Sequence, residues 1–241
     1  MKKIKDLKIK IFADGADIEG MRNEYQKGIV KGFTTNPYFL RLAGVKDYEK
    51  FAMDVIEAIP DLPLSFEVIS DDLESMEKEA RKVASWGENI FVKIPVTNSK
   101  GVSAAPIIKK LASDGIKLNI TAIYTLKQVE NVVDALSPDT ESFISVFAGR
   151  IGETGENPIP IMKKSAEIIS QKPLPKAELL WASTREVYNI FEAEECGCKI
   201  ITVANDILAK LPGVGTSLEQ ASLDTVVTFY ECAQKSGYKL I

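Results

Sequence analysis

The chain has 241 residues, 45% hydrophobic and 27% charged, with 34 acidic against 30 basic side chains and a formal net charge of -4. At about 100–200 residues per domain that is one large domain or two small ones, and the near-balanced charge gives no general electrostatic reason to expect nucleic acid or a membrane as a partner. There is no histidine, which excludes Ser-His-Asp and Cys-His catalysis and histidine-built zinc sites, and leaves proton transfer to Asp, Glu, Lys, Tyr or bound water.

The opening stretch MKKIKDLKIK is charged, with no apolar run of signal-peptide length behind it. Short apolar segments then recur at residues 9–14, 32–36, 62–69, 90–96, 116–122, 142–149, 179–183 and 199–204. Near-continuous Val, Ile, Phe and Leu of this length predict parallel strands covered on both faces. The stretches between them carry helix signals. Asn36-Pro37 offers a cap and an N1 proline, and Ser70 and Asp71 offer caps ahead of Leu73, Met76, Ala80 and Val83. Thr125 and Gln128 form a capping-box pattern ahead of Val129, Val132, Val133 and Leu136. Residues 217–237 read as an amphipathic helix, with Leu223, Val226, Val227 and Tyr230 at helical spacing. Eight such strands predict a single (β/α)8 TIM barrel over residues 1–241 with an additional C-terminal helix; a doubly wound open sheet is the alternative. No run approaches the ~18 apolar residues of a membrane span. Cys196, Cys198 and Cys232 form no CxxC pair and are odd in number, which predicts a reducing, cytoplasmic setting.

Polar residues interrupt the ends of these apolar runs. They include Asp14, Thr35, Asn36, Glu67, Lys93, Asn119, Thr121, Ser145, Arg150 and Ser183. In a barrel such side chains converge on the C-terminal mouth, where barrel active sites lie. Asn36 and Ser183, taken singly, read first as helix caps or turn groups. The GRIGETG stretch from Gly149 is not a GxGxxG fingerprint and reads as a flexible loop carrying Arg150; no Walker motif occurs. Lys93 shares its strand parity with Phe91 and Pro95, so it should be buried, and a buried ammonium is costly unless paired. Two readings stay open for it. One is a structural ion pair with Glu67; the other is an amine that burial primes to attack a carbonyl and form a Schiff base.

The segment Phe91-Val92-Lys93-Ile94-Pro95-Val96-Thr97, followed by Gly101, resembles the Schiff-base lysine segment of the transaldolase family, and Gly32-Phe33-Thr34-Thr35-Asn36-Pro37 resembles its GxTTNP signature. Asp14 in FADGAD, Glu67 in FEV, Thr121 closing GIKLNIT, Arg150 closing SVFAGR and Arg185 closing WASTR continue the similarity in the family's order. The resemblance implies a class I aldolase barrel without metal or organic cofactor, acting on phosphorylated ketoses and aldoses. It implies that Lys93 forms the Schiff base, that Asp14 is the acid/base residue, and that Glu67 and Thr121 hold a proton-shuttling water. Thr35, Asn36, Asn119 and Ser145 would bind substrate, with Asn36 and Asn119 at the dihydroxyacetone end. Arg150, Ser183 and Arg185 would hold the far phosphate.

Glu67 and Phe147 stand where relatives that cleave free fructose 6-phosphate tend to carry glutamine and tyrosine, so both lean toward group transfer. The reaction implied is transfer of a dihydroxyacetone unit from sedoheptulose 7-phosphate to glyceraldehyde 3-phosphate, giving erythrose 4-phosphate and fructose 6-phosphate, as in the pentose phosphate pathway. Gly15-Ala16, Val146, Ala148 and Trp181 depart from the family pattern. They leave open a fructose-6-phosphate aldolase, or a related enzyme for a modified ketose such as a sulfonated one. Trp181, two residues before Ser183, either shares its strand face and narrows the acceptor pocket or fills the core, the core role being favoured. An alternative of another class is a non-catalytic sugar-phosphate-binding barrel. By the same resemblance the C-terminal helix packs on a neighbouring subunit, giving a homo-oligomer, a pentamer or a decamer; its apolar stripe reads equally as a cover for its own barrel.

Overall fold

In the computed structural model, which describes residues 4–240, the apolar runs become eight parallel strands: β1 (Lys10–Asp14), β2 (Phe33–Thr34), β3 (Leu64–Glu67), β4 (Ile90–Pro95), β5 (Leu118–Ile123), β6 (Ser142–Val146), β7 (Ala177–Trp181) and β8 (Ile200–Ala204). They follow one another around a closed barrel. The decisive pairing is β1 with β8, from Lys10 beside Ile200 to Asp14 beside Ala204. That pairing closes the sheet and rules out the open doubly wound alternative.

Among described residues 8–209, ten helices lie between and after the strands: α1 (Ile18–Lys27), α2 (Pro37–Leu42), α3 (Tyr48–Ala58), α4 (Leu73–Ala84), α5 (Ala105–Ser113), α6 (Leu126–Ala135), α7 (Ala148–Glu153), α8 (Pro158–Ser170), α9 (Asn189–Glu195) and α10 (Asn205–Leu208). Asn36 caps α2 and Thr125 with Gln128 closes a capping box on α6, as their sequences predict. At α4 the cap is Asp72, whose side chain accepts from the Ser75 N–H. Asp71 instead accepts from the backbone and hydroxyl of Ser99, and Ser70 bonds to Glu79.

The structure departs from the sequence reading at two further places. The run at 142–149 is strand only as far as Val146, and the GRIGETG stretch starts as helix α7, not as a flexible loop. The cause is Gly149: any Cβ there would land on the Ser183 carbonyl oxygen, so the chain can turn into a helix tight against the segment after β7. The second concerns β2, which is only two residues long. It passes over the Phe12 ring at Gly32, where a Cβ would lie 2.5 Å from the ring.

Strand alternation sorts the side chains into two sets. Val92, Ile94, Ile120, Ile144, Ile201 and Val203 face the helices and are fully buried, each contributing about 1.5–3 kcal/mol relative to exposure. Phe12, Phe91, Phe143, Leu180 and Ile200 point into the barrel. Phe91 stacks on Phe143 with centroids 4.0 Å apart, and Phe12 meets Phe143 edge-on at 5.6 Å. This aromatic plug is a floor. Two residues further along the same strands stand Asp14, Lys93 and Ser145.

Residues 4–7 and 210–240 form a second compact unit. It contains α11 (Leu218–Ser236), capped by Ser217 and ended by left-handed Gly237, within the predicted 217–237. Leu223, Val226, Val227, Phe229 and Tyr230 on α11 are exposed. Among the described residues no helix is long and apolar enough to cross a membrane.

Candidate active site

The C-terminal ends of the strands enclose a cavity of about 490 Å³. Register brings Glu67, Lys93 and Asn119 abreast on β3, β4 and β5. Lys93 Nζ donates to the Thr35 carbonyl at 3.0 Å and lies 3.3 Å from Glu67 Oε2, with only 8% and 14% of the two side chains exposed. The ion pair of the first of the two sequence readings is therefore present, and it offsets the cost of a buried ammonium. Lys93 also forms part of the cavity wall.

Asp14 closes β1 beside Thr34 of β2. Thr34 Oγ1 donates to Asp14 Oδ1 at 2.8 Å. Burial pushes the Asp14 carboxyl up from its ordinary value, against the opposing pull of the Lys93 charge and the Thr34 hydrogen bond. A carboxyl so placed exchanges a proton nearer neutrality than a solvated one, as acid/base chemistry requires. Thr34, with its side chain in the cavity wall, was not singled out from the sequence. Thr35, which was, has the opposite parity. Its side chain is outside the cavity lining, its Oγ1 is buried without a hydrogen-bond partner, and its carbonyl is the part that meets Lys93.

Thr121 Oγ1 is buried and bonds to no other protein group, although Thr121 lines a polar cavity. A buried hydroxyl without a partner costs about 1–3 kcal/mol. Next to it Ala122 has a left-handed φ of 58°, at the point where β5 slips register against β6. Irregularities of this kind re-aim side chains at functional sites. The strand end carrying Glu67 is pinned from behind, where the Tyr48 hydroxyl donates to the Glu67 carbonyl at 2.9 Å. Burial pushes that phenol far above its ordinary value.

A buried polar chain crosses the next strands. Ser145 Oγ donates to Asn119 Oδ1 at 2.6 Å, and Asn119 Nδ2 donates to Ser65 Oγ at 3.0 Å. Ser65 is an inward residue of β3 that the sequence reading does not single out. Asn36 Oδ1 caps α2 by accepting from the Phe39 N–H, and the residue lines the cavity.

The far end of the cavity is basic. Arg150 on α7 lies with its guanidinium 5.7 Å over the Phe147 ring, and Arg185 Nε donates to Glu153 Oε1 at 2.8 Å. Ser183 lines the same end with a left-handed φ of 66°. That turn is held by Gly149 on one side and by Thr184 Oγ1, which donates to the Thr202 carbonyl at 2.6 Å. Because Ser183 leaves the strand geometry, it does not share a face with Trp181. Trp181 is 1% exposed and outside the cavity, while Leu180 and Ala182 line it, so the core role holds and the pocket-narrowing one does not. Among the described residues, no three His, Cys, Asp or Glu side chains come together as a metal-ligand set.

The family model for transaldolase/fructose-6-phosphate aldolase matches residues 11–236. A "Probable transaldolase" of Caldicellulosiruptor saccharolyticus is 33% identical over 203 residues, covering 84% of this chain and 89% of that protein. A "Probable transaldolase" of Methanococcus maripaludis is 34% identical over the same shares of the two chains. Among solved structures, KGPDC from Streptococcus mutans superposes with a TM-score of 0.57 at 13% identity, covering 83% of this chain and 89% of that one. Dihydrodipicolinate synthase from Rhodopseudomonas palustris gives 0.52 at 11% identity, over 96% and 81%. At such identities these two structures show the fold alone. The matched family model and the relatives together establish that the chain belongs to the transaldolase/fructose-6-phosphate aldolase family.

Proposed function

We propose that the protein is a transaldolase that carries a dihydroxyacetone unit on Lys93. The observation that carries this reading is the Lys93 amine, 8% exposed, set between a carbonyl and a carboxylate in the wall of a polar cavity. Lys93 Nζ adds to the C2 carbonyl of a ketose phosphate, and the carbinolamine loses its hydroxyl as water to leave an iminium. Asp14, as carboxylate, accepts the proton of the C4 hydroxyl. The C3–C4 electron pair then moves into the iminium to give an enamine, and the remainder leaves as an aldehyde. An acceptor aldehyde takes up the enamine carbon, Asp14 returns the proton to the new alkoxide, and hydrolysis frees the amine.

Glu67, at 3.3 Å, is placed to relay the proton that leaves Lys93. The unbonded Thr121 hydroxyl supports a water held between these two residues. Asn119 and Ser145, already bonded to each other, offer a rigid polar surface for the C1 end, with Asn36 nearby. Arg150, Arg185 and Ser183 suit a phosphate dianion, because guanidinium forks match its oxygens. Phe147 lacks a hydroxyl that could help order the relay water, which favours transfer over release of free dihydroxyacetone. We place the reaction in the cytoplasm and in the pentose phosphate pathway.

The test is product analysis with fructose 6-phosphate plus erythrose 4-phosphate. Formation of sedoheptulose 7-phosphate and glyceraldehyde 3-phosphate is expected. Rapid cleavage of fructose 6-phosphate to free dihydroxyacetone, with no transfer product, would replace the transferase by an aldolase. We further propose a homo-oligomer of five or ten chains, with the exposed apolar residues of α11 contributing to its contacts. Light scattering at the 26.5 kDa of one chain would overturn that.

A further inference from the structure

Arg185 reaches the basic end of the cavity with its guanidinium already engaged by a carboxylate, Glu153. Glu153 ends α7, three residues after Arg150, and is not itself part of the cavity wall. The arrangement is built, not incidental. The Gly149 contact packs the start of α7 against Ser183, and Arg185 is fixed through its backbone N–H, which donates to Asn189 Oδ1 at 2.9 Å. The Arg185 guanidinium, with Arg150 adding to it, holds the Glu153 carboxyl below its ordinary value, so Glu153 is an anion at neutral pH. A carboxylate and a phosphate compete for one guanidinium fork.

We propose that Glu153 is an intramolecular competitor for the phosphate end of the site, occupying Arg185 between turnovers and displaced by an incoming dianion. This rests on the reading of Arg150 and Arg185 as the phosphate anchor. Both partners are about half exposed, at 46% for Arg185 and 56% for Glu153. An exposed pair of this kind favours its bridged form by no more than about fivefold. The apparent affinity for a phosphate group is lowered in proportion to the fraction of Arg185 held away. The device sets a threshold. A dianion that gains both arginines displaces Glu153 readily, whereas a singly charged anion gains little over the carboxylate it must replace. Glu153 is thus a positioning residue that tunes selectivity for the charge of the substrate's distal group.

The test measures the Kd of inorganic phosphate by calorimetry, with KM for fructose 6-phosphate and for uncharged dihydroxyacetone as donors. Glu153→Gln is expected to lower the phosphate Kd and the fructose 6-phosphate KM by about twofold to fivefold. KM for dihydroxyacetone should not follow, and Glu153→Asp should return both values toward wild type. Glu156→Gln removes a like charge three residues on; an equal gain from it would mean general electrostatics and overturn the competitor. An equal KM shift for dihydroxyacetone would do the same. If Arg185→Met and Arg150→Met weaken phosphate binding while Glu153→Gln changes nothing, the competitor is wrong and the anchor stands. If neither arginine substitution weakens phosphate binding, the anchor fails and the competitor falls with it.

Discussion

Thr34 on β2 donates a 2.8 Å hydrogen bond to Asp14 on β1, and this bond joins two strands at the point where the proposed proton transfer occurs. Its donor stabilises the carboxylate form, opposing the upward push of burial. Thr34→Val removes it, so the Asp14 carboxyl should rise further from its ordinary value. The acid limb of the kcat/KM profile should move to higher pH, and activity at neutral pH should fall about tenfold, the equivalent of one charge-assisted hydrogen bond. Thr34→Ser should restore both. A profile that keeps its acid limb in Thr34→Val would mean that Asp14 is not the titrating base.

The same burial makes Asp14 a liability for the fold. Its folded-state value lies above its unfolded one, so the unfolded chain releases the proton more easily, and stability is lost as pH rises through the raised value. Below the ordinary carboxylate range Asp14 is protonated in both states and contributes no difference. Asp14→Asn should therefore raise the melting temperature by about 2–4 °C at pH 8, by less at pH 4, and abolish transfer. Equal melting shifts at the two pH values would show that the carboxyl is not held against its charged form.

Gly149 couples the two halves of the basic end. In Gly149→Ala the new Cβ meets the Ser183 carbonyl oxygen, so α7 and the Ser183 turn must separate. Misplacing a positioning group costs about a hundredfold in rate. The loss in kcat/KM is expected with fructose 6-phosphate and not with dihydroxyacetone, which has no phosphate to position. Steady-state kinetics on the two donors checks this; equal losses would remove the link between Gly149 and the phosphate end.

What was legible in the sequence follows from one contrast. A polar residue such as Lys93, Asn119 or Ser145 inside an otherwise apolar parallel strand is conspicuous, because both faces of that strand are buried. Alternation then places Lys93 above Phe91 and Ser145 above Phe143 inside the barrel. Asp14 and Glu67, at or near strand ends, are visible for the same reason. Thr34 was not separable from Thr35, since β2 spans only two residues and gives parity nothing to count from. The start of α7 was hidden because Val146-Phe147-Ala148 prolongs the apolar run, and the backbone approach at Gly149 is a tertiary fact. Ser183 lost its parity with Trp181 through a single left-handed φ. Glu153 resembles any charged residue at a helix end, and only the position of Arg185 gives it a role.

The most direct test of the central claim is borohydride trapping with fructose 6-phosphate, with the adduct located by peptide mass spectrometry and Lys93→Met as the control. A reduced adduct is expected at Lys93 alone, absent from the Lys93→Met protein. Adding erythrose 4-phosphate before reduction should lessen the trapped dihydroxyacetone adduct by discharging the enamine. An adduct on another lysine, or no adduct with either fructose 6-phosphate or free dihydroxyacetone, would contradict it and leave a barrel that binds sugar phosphates without turning them over.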